Sequence, residues 1–170
     1  KNYFLHRCSG RLKWVKFEIM ADFVVALACD HGGFARKQSV IRYFTDNGIR
    51  FVDLGCYTDQ NCDYPDFGHA IAKVISEGTY PLGITFCGTG QGISITANKY
   101  QKIRSAVCWM PEIARLARAH NNANICAIPG RFVSDNEAIE IVKVFLSTSF
   151  DGGRHQRRID KIPFRDGCCG

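Results

Sequence analysis

Five short apolar runs, at Phe23–Cys29, Arg50–Leu54, Leu82–Cys87, Arg104–Trp109 and Asn124–Ile128, recur along the chain with amphipathic stretches between them. No other feature constrains the fold as much. The stretches near Gly33–Asp46, Asp66–Ser76, Gly92–Asn98, Pro111–His120 and Asp135–Ser147 read as helices; in the last, Ala138, Ile141, Val142 and Phe145 fall at helical spacing. Asn47-Gly48 reads as a helix stop and Ser134-Asp135 as a helix start. Strands separated by helices require right-handed crossovers, which put helices on both faces of a parallel sheet. The expected fold is therefore α/β: a three-layer αβα sandwich with a Rossmann-like, doubly wound, five-stranded parallel sheet. Such sheets bind ligands beyond the carboxyl ends of their strands. That rule selects Asp30 and His31 after the first strand, Cys87 at the end of the third and Trp109 at the end of the fourth.

At 170 residues the chain fits one domain. The boundaries read as a basic extension at 1–19, a domain at 20–164 opened by Met20, and a tail at 165–170. Net charge is +6, but residues 1–19 carry +4 of it, so the domain is no polycation and nucleic acid is not an expected partner. The longest apolar run, FVVALAC at 23–29, is too short to span a bilayer. There are nine cysteines, an odd number, and no CxxC pair. A zinc ribbon or a secreted disulfide framework is thus disfavoured, no metal is expected, and the chain reads as intracellular. The expected compartment is cytoplasmic, with organelle targeting by the acid-poor leader as the alternative.

The segment FCGTGQGISI at 86–95 places a cysteine directly ahead of Gly88, Gly90 and Gly92. Glycines after a buried strand let the backbone approach a ligand and turn several N–H groups toward it. It is not a GxxxxGK[ST] loop, and its spacing differs from the dinucleotide fingerprint. Cys87 at the start of the next helix is placed where a thiolate is favoured, although a packed strand-end cysteine gives the same pattern. In CDHGGF at 29–34, Asp30 can accept bonds from sugar hydroxyls and His31 can meet a phosphate; an N-cap aspartate with a solvated histidine is the plainer reading. In RAHNNANICAIPGR at 118–131, His120 suits proton movement near neutral pH or simply complements a helix dipole. Asn121 can be a turn residue, and Arg131 follows the last strand. In GGRHQRRIDK at 152–161, Arg154 and Arg158 lie four apart on one helical face, a fork for a phosphate dianion, with Arg157 and Lys161 in a second row.

DHGGF, DYPDF, CGTGQGISITANK, IRSAVCW, ARLARAHNNANICAI and GGRHQRRIDKI occur in order, and together they resemble the ribose-5-phosphate isomerase type B family, which includes the galactose-6-phosphate isomerase subunits. The resemblance spans about Phe23 to Ile162. It implies an aldose–ketose isomerase that interconverts ribose 5-phosphate and ribulose 5-phosphate through a cis-enediolate, without a cofactor. Cys87 matches the carbon base. Gly88, Thr89, Gly90, Gln91 and Gly92 match the loop whose amides hold the oxyanion. His120 matches the group that opens the furanose ring, with Asp30 placed to assist, and Asn121 matches a sugar-oxygen ligand. His31, Arg131, Arg154 and Arg158 match the phosphate grip; Ser94 and Tyr64 lie nearby. The family implies a homodimer or dimer of dimers whose site is shared between subunits, the His120 and Arg154 regions facing the other subunit's Cys87.

Two positions depart from the family pattern: Gln91 stands where an apolar residue is usual, and IPGR at 128–131 replaces a run of small residues before Arg131. A six-carbon sugar-phosphate isomerase and a non-catalytic sugar-phosphate sensor on the same scaffold are the alternatives. A thiol oxidoreductase would lack its CxxC partner.

Overall fold

The computed structural model describes residues 3–8, 11–16 and 23–163. Two strands, β1 (Tyr3–Cys8) and β2 (Arg11–Lys16), pair antiparallel from Tyr3↔Lys16 to Cys8↔Arg11 and form a sheet of their own. The sequence reading placed no strand there. The expected tail at 165–170 lies outside the described residues.

The main sheet holds β3 (Val25–Cys29), β4 (Phe51–Asp53), β5 (Leu82–Cys87), β6 (Ser105–Val107) and β7 (Ile125–Pro129). Their order is β4-β3-β5-β7-β6 and every pairing is parallel. Among the described residues, six α-helices connect or follow them: α1 (Phe34–Asp46), α2 (Tyr64–Ser76), α3 (Gln91–Ala97), α4 (Pro111–Asn121), α5 (Asp135–Ser147) and α6 (Arg154–Ile159). The fold class read from the sequence is the one observed. The edge strands β4 and β6 are three residues each, shorter than the apolar runs that announced them. Helix α6 ends at Ile159, so Lys161 belongs to no second helical row.

Alternation along the strands builds two cores. Val25, Leu27 and Cys29 of β3 face one side, where they join Val40 and Phe44 of α1, Ala114 and Ala117 of α4, and Ile141 and Phe145 of α5. Ala26 and Ala28 face the other side with Ile71, Ala72 and Ile75 of α2 and Ala97 of α3. The central strands β3, β5 and β7 are buried along their whole length, as expected of a parallel sheet covered twice. Helix α5 starts on a full capping box, with Ser134 and Glu137 satisfying each other's main-chain N–H groups.

The chain winds from β3 outward to β4, then returns past β3 to β5, passes on to β6 at the far edge and comes back to β7 between β5 and β6. The reversal lies between β3 and β5, so the crevice beyond their carboxyl ends is the topological switch point.

Candidate active site

Register decides what meets at that crevice. Cys29 pairs with Phe86, and the Asp30 N–H donates to the Phe86 carbonyl at 3.1 Å, so Asp30 emerges beside Cys87. Asp30 is buried; its Oδ1 accepts the Gly33 N–H at 2.9 Å, closing the single 3-10 turn at His31–Gly33. That turn packs onto β5 so closely that a Cβ on Gly33 would lie 2.2 Å from the Phe86 carbonyl carbon. The next strand contributes too: Cys87 pairs with Pro129, the Gly130 N–H donates to the Cys87 carbonyl at 2.8 Å, and the Arg131 N–H donates to the Gly88 carbonyl at 3.2 Å. The Arg131 side chain thus lies against Gly88, 3.4 Å from where a Cβ would stand.

The loop from Gly88 to Gly92 turns into α3 at Gly90, whose φ of 74° lies in the left-handed region open to glycine. The Gln91 N–H donates to Thr89 Oγ1 at 3.3 Å, so the Gln91 amide that was expected to face a ligand has a partner of its own within the loop. The Tyr64 ring lies over Gly92, 2.7 Å from where a Cβ would stand. Ser94 is buried and donates to the Ser105 carbonyl at 3.3 Å, a bond that ties α3 to the sheet edge. His31 is held through Nδ1, which lies 3.1 Å from the Cys62 carbonyl oxygen and 3.3 Å from the Cys62 amide nitrogen.

The thiolate expected at Cys87 is opposed by its surroundings. Burial pushes the Cys87 thiol pKa up, and the hydrogen bond to Asp30 and the charge of its carboxylate push it further; the Ile93 and Thr89 amides act the other way without overcoming them. A helix start was visible in the sequence, but the neighbouring acid's contact with the sulfur was not.

His120, Asn121, Arg154 and Arg158 gather elsewhere. Helix α4 runs antiparallel to the strands, and after three more residues β7 begins at Ile125, so the end of α4 lies at the amino edge of the sheet. Four strand residues, about 13 Å, separate that edge from the level of Cys87. Helix α6 packs against α4, and the Asp151 N–H donates to the Ala119 carbonyl at 2.9 Å. His120, Asn121, His155 and Arg158 line one cavity of about 340 Å³. The His120 and His155 rings stack 4.2 Å apart at 6°, and His120 Nε2 lies 3.9 Å from Asp151 Oδ2. His155 has its pKa lowered by desolvation and by the charges of His120, Arg154 and Arg158. The structure therefore brings Asp30, His31, Cys87, the 88–92 loop and Arg131 together, and brings His120, Asn121, Arg154 and Arg158 together, but does not join the two sets within one chain.

The ligand atoms of His120, Asp151 and His155 lie within 4.8 Å of one another, the one such trio among the described residues. Flat stacking sets the two rings side by side rather than converging on one point, and two arginines stand next to them. This charge suits an anion better than a cation. Asp151 and His155 went unremarked in the sequence, although His155 sits inside the GGRHQ block; nothing local to it signals a stack on a residue 35 positions away.

A thiol, a carboxylate, a glycine loop and a guanidinium at the switch point of a doubly wound sheet define a small-molecule site of the α/β class. The chain belongs to the ribose/galactose isomerase family, which matches it over residues 25–162. Among its relatives is the probable ribose-5-phosphate isomerase B of Mycoplasma genitalium, 44% identical over 143 residues that cover 83% of this chain and 94% of the relative. The ribose-5-phosphate isomerase B of Escherichia coli is 38% identical over 138 residues, covering 81% and 93%. The crystal structure of a Thermotoga maritima ribose 5-phosphate isomerase superposes with a TM-score of 0.80 at 47% identity, covering 82% of this chain and 97% of that one. The Mycoplasma genitalium enzyme with bound ribulose-5-phosphate superposes with a TM-score of 0.78 at 43% identity, covering 83% and 94%.

Proposed function

We propose that this protein is an aldose–ketose isomerase that interconverts ribose 5-phosphate and ribulose 5-phosphate. The observation that carries this reading is the strand register that sets the buried Asp30 beside Cys87 and the glycine loop at the switch-point crevice. Support comes from relatives of that name that match four-fifths of the chain and from a structural neighbour holding ribulose-5-phosphate.

The reaction moves one proton between adjacent carbons. The Cys87 thiol proton leaves through Asp30, and the thiolate takes the hydrogen from C2 of the open aldose. The C1 carbonyl oxygen becomes an enediolate oxygen held by the 88–92 loop amides; the cysteine returns the proton to C1, and the O2 hydroxyl proton passes to O1 as C2 becomes the ketone. Oxyanion donors of this kind are worth about 3–4 kcal/mol each. His120 supplies the proton that opens the furanose ring, and Asn121 binds a sugar oxygen. His31, Arg131, Arg154 and Arg158 hold the phosphate, which fixes the reacting carbons against the sulfur.

Since one chain keeps Cys87 and His120 at opposite edges of its sheet, the working site combines the carboxyl edge of one copy with the α4–α6 cluster of another. Trp109, Met110 and Phe132 are exposed at the carboxyl edge, Phe132 by 72%, which gives a second copy an apolar surface to cover.

The test is conversion of ribose 5-phosphate to ribulose 5-phosphate with EDTA present, beside allose 6-phosphate and galactose 6-phosphate. Turnover of the pentose with solvent deuterium entering the product at the migrating position is expected. Faster turnover of a six-carbon sugar would reassign the substrate, and binding without turnover of any of them would make the protein a sensor.

A further inference from the structure

We propose that His155 is a positioning residue for His120: its imidazole is the flat surface against which the ring-opening imidazole of the same chain is held. This deepens the isomerase reading and rests on the role given there to His120; the stack of the two rings does not.

The last turn of α4 fixes where His120 starts but not where its ring points. Its main chain is pinned on both sides. The Ala119 carbonyl accepts the Asp151 N–H at 2.9 Å, and beyond Asn121 the Arg118 guanidinium donates to Asn122 Oδ1 at 2.9 Å and to the Ala123 carbonyl at 2.6 Å. The His120 side chain is 37% exposed, so no surrounding core settles its torsions. Asp151 Oδ2 stands 3.9 Å from His120 Nε2, too far for a hydrogen bond, and attracts the ring without fixing its plane. His155 sets that plane, its ring parallel to the His120 ring within 6° at a centroid distance of 4.2 Å.

A short turn brings both neighbours to the imidazole. Gly152 and Gly153 take positive φ, 65° and 54°, and carry the chain from Asp151 into α6. Arg154 Nε lies 3.5 Å from His155 Nε2, so that nitrogen meets the guanidinium with its lone pair. Desolvation, then the charges of His120 on α4 and of Arg154 and Arg158 on its own helix, lower the His155 pKa against the smaller pull of Asp151. The His155 ring is therefore uncharged near neutral pH. A neutral ring can lie flat on a protonated His120, whereas a second imidazolium at this distance would repel it. Ring opening needs that protonated form, with the proton delivered to the furanose oxygen as its bond to C1 breaks. An acid that swings out of that line loses rate.

The test compares His155→Ala with His155→Phe, which keeps a flat ring but no nitrogen, in the full-length protein. Two reactions are followed: net conversion of ring-closed ribose 5-phosphate, and solvent deuterium uptake at C1 of ribulose 5-phosphate, which has no furanose ring to open. His155→Ala should lose about tenfold in kcat on ribose 5-phosphate, with KM changed by less than about twofold and deuterium uptake unchanged. His155→Phe should restore kcat. Equal losses in both variants, or a raised KM in both, would make His155 a hydrogen-bonding or phosphate group and overturn the proposal. Loss of deuterium uptake along with conversion in His155→Ala would overturn it too, because the whole of α6 would then have moved. A second measurement needs no activity. In proton NMR at high pH, where imidazoles are neutral, the His120 ring signals, assigned by their loss in His120→Asn, should move downfield in His155→Ala and stay upfield in His155→Phe. Unmoved signals would mean that the rings do not stack. If the wild type neither converts ribose 5-phosphate nor takes up deuterium, the functional reading fails and takes the ring-opening role with it, while the NMR shift still decides the stack.

Discussion

Cys87 reads differently in three dimensions than in one. A cysteine at a strand end before a glycine loop suggests an activated thiolate, but the group that controls its proton is Asp30, 57 residues earlier and brought alongside by the Cys29–Phe86 pairing. A carboxylate next to a thiol disfavours the thiolate, and each pKa unit is worth about 1.4 kcal/mol. The fraction of Cys87 present as thiolate therefore rises with pH, with a midpoint above the ordinary thiol value. Asp30→Asn removes both the charge and the acceptor that hold the proton on sulfur. Carbamidomethylation of Cys87 by iodoacetamide, followed across pH by mass spectrometry, should show a midpoint in Asp30→Asn below that of the wild type. Isomerase activity should still fall, since the thiol proton then has no exit. An unchanged or higher midpoint would remove Asp30 from its place beside the sulfur. The residue types were legible in the sequence; their mutual effect was not, because it depends on which strands are neighbours.

Helix α1 carries a similar lesson about what a pattern hides. Lys37 lies in an amphipathic run where a lysine reads as solvent-facing, but it is completely buried. Its Nζ donates to Asp53 Oδ1 and to the Cys56 carbonyl, each at 2.6 Å, and the ammonium lies 5.5 Å from the centre of the Tyr57 ring. The lysine thereby ties α1 to the end of β4 and to the loop that follows it. Lys37→Met fills much of the same space but leaves the Asp53 carboxylate with the Gly55 N–H as its one remaining donor among the described residues. Asp53 keeps some solvent access, with a side chain 20% exposed, so the loss should sit at the lower end for a broken buried pair, about 3 kcal/mol. Urea unfolding should show a lower midpoint at unchanged slope, and a loss under about 1 kcal/mol would mean that the pair is not confined as the fold places it. Element type was readable because periodicity is local: β5 and α5 begin and end where their apolar spacing predicts. The ends of β4 and β6 were not, since an edge strand stops where its single neighbour stops pairing. The β1–β2 ribbon had a signal in the Ser9-Gly10 dipeptide between two β-prone runs, which the basic composition of the leader obscured.

Topology sorts the candidate residues into two groups, and no rearrangement short of unfolding brings them together in one chain. Helix α4 has to return from the carboxyl edge to the amino edge before β7 can run parallel to β6, so His120 is carried away from Cys87 by the same right-handed crossover that builds the sheet. Sequence blocks record which residues are present but not which edge they occupy, and the direction of α4 becomes decisive only once the strand order is known. If the working site joins edges from two copies, inactive variants should rescue each other. In a mixture of Cys87→Ala and His120→Asn chains, each mixed dimer has one site with both residues intact and one site with neither. Random pairing makes half of the dimers mixed, so activity on ring-closed ribose 5-phosphate should recover to roughly one quarter of the wild-type value. The variants are unfolded and refolded together, because subunits that do not exchange would give no signal, and a differently tagged wild-type pair refolded alongside measures how many mixed dimers form. Mixed dimers without regained activity would place the working Cys87 and His120 in the same chain, which this sheet order does not permit, and the two-copy site would have to be abandoned.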